Sequence, residues 1–178
     1  EAWSVGSHTL DWKLGTLNTG VLLLSSFTAA QAVRYAQLGE RGKVQLNLII
    51  TFLCAAGFMV IKAMEYNHKF HVGFFPGSHF APTTEGLEEL GKAISASHYG
   101  TGGIPYHIRS FFGLYFVMTG LHGLHVLIGM GLIVWMLVRN ARGEFTKDFW
   151  TPIDIFALYW HLVDLIWIFL FPLIYLID

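Results

Sequence analysis

Three stretches of this chain run long without a formal charge: Leu14–Val33, Val44–Ile61 and Ser110–Val138. A fourth, Ile153–Ile177, is interrupted only by Asp154 near its start and Asp164 in its middle. A helix crosses a ~30 Å hydrocarbon core with about 20 apolar residues. A soluble bundle would show a polar face at helical period, and none of these runs does. The pattern predicts an all-α polytopic membrane protein. Its four transmembrane helices fall at about 14–36, 44–66, 109–139 and 153–177, in one membrane domain over 1–178 with a long loop at 67–108. The third run has slack and should tilt or protrude.

Two of the runs carry a signature of protein contact. The first contains Asn18, Thr19, Ser25, Ser26, Thr28 and Gln31; the third contains Gly113, Gly120, Gly123, Gly129 and Gly131. Small and hydroxyl residues let membrane helices approach closely and hydrogen-bond, so both read as interface helices. Within 67–108, Leu87, Leu90 and Ile94 follow Thr84 and Glu85 and predict a short amphipathic surface helix. It is expected to pack down as a lid or to dock a partner protein.

Charge sets the orientation. Arg34, Arg41, Lys43, Arg139, Arg142 and Lys147 crowd the two short connections Tyr35–Lys43 and Asn140–Pro152. Lys13, Lys62, Lys69, Lys92 and Arg109 are spread over the N-terminus and the long loop. The denser side is cytoplasmic, or its organellar equivalent. Both termini and the loop 67–108 are then extracytoplasmic.

Composition agrees with lipid as the main solvent. The chain has 178 residues and 20.0 kDa, is 54% hydrophobic and 13% charged, and has a mean hydropathy of +0.52. An average soluble domain carries about 25% charged residues. The net charge of −1 offers no basic face, which excludes nucleic acid as a partner. Cys54 is the only cysteine, so the chain has no internal disulfide, no Cys-x-x-Cys-His haem attachment and no two-thiolate metal site. The chain opens Glu1-Ala2-Trp3, as expected of a processed start or the C-terminal part of something longer.

His122, His125, His161 and Asp164 are the residues that call for explanation. Ionisable groups at membrane depth are costly and normally point into the bundle, paired. His122 and His125 share one face of the third helix, as His161 and Asp164 share one face of the fourth. A haem or metal held by imidazoles of two helices is one reading. The other is an interhelical network in which Asp164 accepts from His161 or from a histidine of the third helix. The depths of His125 and His161 match poorly for a bis-histidine haem, which favours the network. His68-x-x-His71 has the spacing of a zinc pair but lacks further ligands, and the remaining loop histidines read as solvated. Lys62 and Glu65 pair with each other or snorkel to the headgroups, and Arg109 is placed to touch a lipid phosphate. No nucleophile–base pair, phosphate loop or redox dithiol is present, so no residue is assigned a catalytic, cofactor-binding or metal-binding role.

Thr119-Gly120-Leu121-His122-Gly123-Leu124-His125-Val126 resembles the TGxHGLHV stretch of cytochrome c oxidase subunit III. Tyr159-Trp160-His161-Leu162-Val163-Asp164-Leu165-Ile166-Trp167 resembles the family's YWHFVDVVW segment. Leu17-Asn18-Thr19 and Ala63-Met64-Glu65-Tyr66 resemble its LNT and ASEY segments, in the same order.

The resemblance implies a non-catalytic subunit of a haem-copper terminal oxidase. Haem and copper would lie in partner subunits: the catalytic subunit I and a copper- or cytochrome-bearing subunit II. This chain would hold phospholipid, stabilise subunit I and sustain proton uptake. A bacterial inner (plasma) membrane is implied rather than the mitochondrial one. Equivalent subunits serve quinol oxidases and nitric oxide reductases, and a stand-alone haem-binding protein using His125 and His161 is the alternative of another class. The common form has seven helices, and this chain begins where the fourth would, so roles of the family's buried glutamate do not carry over. The loop 67–108 is longer than in the common form, which hints at an extra partner outside.

Overall fold

The computed structural model describes residues 5, 7–10, 12–74, 82–96, 108–146 and 149–175. Among the described residues the named helices in chain order are α1 (Trp12–Leu38), α2 (Arg41–His71), α3 (Thr84–Ala96), α4 (Ile108–Ala141) and α5 (Thr151–Tyr175). The helices of α2, of α4 from Ser110 and of α5 are long and apolar enough to cross a membrane. The 27-residue α1 has the length but not the apolarity, because its amide and hydroxyl residues dilute the window. The expected helical class is therefore present, with three candidate spans rather than four.

Helix boundaries run past the uncharged stretches. α2 continues through Glu65, His68 and Lys69 to His71, so the segment 67–108 begins as helix. Charged residues continue a helix where each finds a partner on a neighbouring segment, as Lys69 does below. His79, His98 and His107 lie outside the described residues.

The chain divides into two compact units. The first comprises residues 1–17, 61–121 and 169–178. Its core gathers Val72, Phe74, Leu90, Phe111, Phe112 and Tyr115, with the rings of Phe74 and Phe112 stacked at 4.7 Å. α2 ends at His71, and the φ of 82° at Gly73 lets the chain reverse while the Phe74 amide closes on the Lys69 carbonyl. Thr83 then caps α3, its hydroxyl accepting from the Gly86 amide at 3.3 Å. The expected short amphipathic helix is thus present, but its buried face is rotated from the expected one. Leu90 and Ala93 are buried, whereas Leu87 is 49% exposed. Gly86 sets this angle: a Cβ there would sit 2.3 Å from the Val72 carbonyl oxygen. On the solvent face Lys92 donates to Glu88 at 2.8 Å. That hydrogen bond holds the Glu88 carboxyl below its ordinary pKa and the Lys92 ammonium above its own. Exposed pairs of this kind add little to stability.

The second unit comprises residues 18–60 and 122–168. Trp160 and Trp167 fill its centre with Leu22, Leu48, Phe58 and Ile133. Gly129 admits the Trp160 indole so closely that a Cβ would meet it at 2.3 Å. Of the glycines singled out for close packing, Gly131 has open space around it and Gly123 meets only Met59, at 4.0 Å. The two short connections of this unit touch. Arg41 Nε donates to the Phe145 carbonyl at 3.2 Å, and Asn140 Nδ2 donates to the Arg41 carbonyl at 3.0 Å.

Candidate functional site

Buried polar groups collect in two places, one in each unit. In the first unit Lys62 and Glu65 stand one turn apart on α2, where i,i+3 side chains meet. Their ends pair at 2.9 Å, with side chains 9% and 8% exposed. They pair rather than snorkel. Tyr115 of α4 donates to Glu65 at 2.7 Å, and Tyr175 of α5 donates to the same carboxylate oxygen. Lys62 Nζ also donates to the Tyr175 oxygen at 2.5 Å and lies 4.9 Å from that ring's centroid. Next to this group Tyr66 and Thr119 share a hydrogen bond, and the Thr119 hydroxyl also donates to the Tyr115 carbonyl at 2.6 Å. A buried carboxylate thus receives one ammonium and two phenols, which offsets the large cost of taking both charges out of water.

A second buried ammonium in this unit works as a fastener. Lys69, 2% exposed, donates to Glu89 of α3 and to the Thr9 carbonyl at 2.5 Å. His68 Nε2 lies 3.5 Å from the other Glu89 oxygen. The Lys69–Glu89 pair ties α3 to the end of α2.

In the second unit the sequence-predicted residues are handled differently. His161 shares a 2.5 Å hydrogen bond through Nδ1 with Ser26 of α1. His122, 4% exposed, packs its ring against Phe58 at 5.5 Å and Trp167 at 5.1 Å. His125 is exposed, and its carbonyl accepts from the Tyr159 hydroxyl at 2.9 Å. Asp164 is 3% exposed; among the described residues no group meets its carboxyl oxygens in full hydrogen-bond geometry, and the Ser26 hydroxyl is the side chain that interacts with it. Asp164 and His161 thus share the Ser26 hydroxyl of α1 rather than meeting directly. Interhelical bonding in this unit runs mainly through indoles and hydroxyls. Trp160 donates to Ser25 at 2.6 Å, Trp167 to Thr19 at 3.2 Å, and Thr28 and Thr51 share a bond of 2.8 Å.

Arg109 falls in the first turn of α4, and its side chain lies outside the described residues. Among the described residues, no three His, Cys, Asp or Glu side chains gather in a group able to hold a metal ion. An apolar groove of about 490 Å³ runs between α4 and α5, lined by Leu132, Trp135, Met136, Phe149, Ile155 and Tyr159. Arg139 lies beside it, 4.8 Å from the Trp135 ring centroid.

Residues 92–178 match the sequence model of the family described as cytochrome c oxidase subunit III. Over 175 residues the chain is 31% identical to the probable cytochrome c oxidase subunit 3 of Nocardia farcinica, covering 98% of this chain and 71% of that protein. It is 32% identical to cytochrome c oxidase subunit 3 of Corynebacterium diphtheriae, covering 99% of this chain and 72% of the relative. It is also 32% identical to the quinol oxidase subunit 3 of Bacillus subtilis, covering 89% of this chain and 63% of the relative.

Proposed function

The chain belongs to the cytochrome c oxidase subunit III family, and from that premise we propose that it steadies a catalytic neighbour and carries no electrons itself. As a subunit III of a haem-copper oxidase it works in a complex with other oxidase subunits. We assign it to subunit I as direct neighbour, with subunit II completing the complex and haem and copper held by those partners. Residues 1–178 form one membrane domain in this reading, with α1 as a fourth span sheltered against protein. The cation-dense connections face the cytoplasm of a bacterium. Both termini and the segment 67–108 face outward, where that segment meets a further subunit. The α4–α5 groove suits a phospholipid acyl chain, with Arg139 and Arg142 at headgroup level and Arg109 as a phosphate contact at the other surface.

Identity along nearly the whole chain to subunits of this one family carries the reading. The quinol oxidase relative keeps quinol open beside cytochrome c as the electron donor. Oxygen consumption against time, for intact and subunit-stripped complexes, is the test. Stripping should leave the haem and copper spectrum and the first turnovers unchanged while activity decays faster over repeated turnovers. Loss of a chromophore, or of the first turnover, would overturn the supporting role.

A further inference from the structure

Asp164 and Asn18 share one condition. Both lie inside the second unit, at 3% and 0% exposure, and all four of their side-chain oxygen and nitrogen atoms are buried without a hydrogen-bond partner among the described residues. Their places can be read from the bonds around them. Trp160, Asp164 and Trp167 recur at i, i+4 and i+7 and so share one face of α5. Both indoles of that face donate to α1, at Ser25 and Thr19. Asp164 lies between these two grips and therefore faces α1 near Leu22, with α1 and α5 antiparallel. Asn18 is one turn from Leu22 on the same face of α1, about 6 Å along the axis. The titratable groups facing Asp164 are His161 on its own helix, bonded to Ser26, Cys54 of α2, within electrostatic reach, and His122 of α4, packed on Trp167. No Lys or Arg forms an ion pair with it among the described residues.

An ionised carboxylate so placed would bear most of the cost of burial, with only the Ser26 hydroxyl, already shared with His161, beside it. A neutral carboxylic acid is both donor and acceptor, and the Asn18 amide offers two donors and an acceptor. A buried water typically makes about three hydrogen bonds to such groups. We propose that Asp164 carries its proton within the bundle and that Asp164 and Asn18 together bind ordered water between α1 and α5. The site is a proton-holding, hydrated pocket inside the subunit, separate from the Glu65 cluster. It does not depend on the oxidase's electron donor or on which subunits surround the chain.

Infrared spectra of the purified complex, in water and in deuterium oxide, test both halves. Wild type should show a carboxylic-acid carbonyl band that shifts in deuterium oxide and disappears in Asp164→Asn. Asn18→Leu should move that band without removing it, because the shared water loses one partner. A high-resolution map should show water density within hydrogen-bond distance of both side chains. A spectrum in which Asp164→Asn removes no acid band would overturn the proposal, since it would mean an ionised carboxylate, bound to a cation or a rearranged donor. An acid band that Asn18→Leu leaves unmoved would overturn the shared water. Should Asp164→Asn fail to assemble, the deuterium shift in wild type and the Asn18→Leu spectrum still decide the question.

Discussion

Glu65 and Asp164 are both carboxyl groups set deep in long apolar helices, and the protein treats them in opposite ways. Glu65 receives Lys62, Tyr115 and Tyr175, drawn from three helices, and its charge is matched within 3 Å. Asp164 has only the Ser26 hydroxyl beside it, a group that also serves His161 one turn away on its own helix. Burial alone therefore does not define a site; the set of donors does. A carboxylate ringed by donors locks helices together. A carboxyl group without them must stay neutral or find a small ligand.

The sharpest way to break this contrast is to remove the ammonium. Lys62→Met leaves Glu65 charged and buried with phenols alone, which should lower stability by about 3–5 kcal/mol. Thermal unfolding of the purified protein measures it, and adding Glu65→Leu to the same chain should recover most of the loss. A single variant that melts like wild type would mean the pair is solvated. A smaller loss is expected from Tyr115→Phe. It deletes one hydrogen bond to a charged group, about 1.5–3 kcal/mol, and leaves Lys62 and Tyr175 in place. Smallest is Asp164→Leu. Losing a neutral acid bonded to water and one hydroxyl is largely offset by the apolar area gained, so the melting temperature should change by the equivalent of about 1 kcal/mol or less. A large drop there would show that Asp164 has protein partners after all and would erase the difference between the two regions.

Much of this was legible in the sequence, for physical reasons that differ from place to place. The helices at 44–66, 109–139 and 153–177 announce themselves because the membrane tolerates few charges, so an uncharged run is itself the signal. Their ends are not so marked. α2 outruns its uncharged stretch because Lys69 and Glu65 are matched by groups distant in sequence. Spacing alone suggested the Lys62–Glu65 pair. Nothing local pointed to Tyr175, 110 positions away from Glu65. On α3, counting apolar residues picked Leu87, Leu90 and Ile94 as the inner face. The actual face includes Gly86, which has no side chain to count and is chosen for its closeness to the Val72 carbonyl. The shared helix face points to His161 as a partner for Asp164; it gives no sign of Ser26, across the helix pair, which bonds His161 and interacts with Asp164.

The clasp formed by Arg41, Asn140 and Phe145 has a consequence for the order of events during synthesis. Its two hydrogen bonds join positions 104 and 99 residues apart in sequence. While α2 is being made, Arg41 has no Phe145 carbonyl to donate to, because most of the chain is still to come. Closing so long a loop costs entropy that only the completed helix pairs can offset. The contact is therefore a late one, formed after α4 has been completed through Ala141 and the chain has turned at Gly143. A chain halted before Phe145 would lack α5 as well as the carbonyl that Arg41 bonds. Until Phe145 is made, Arg41 is an unfastened cation at the α1–α2 connection, and the pairing of the two short connections waits on the second half of the chain.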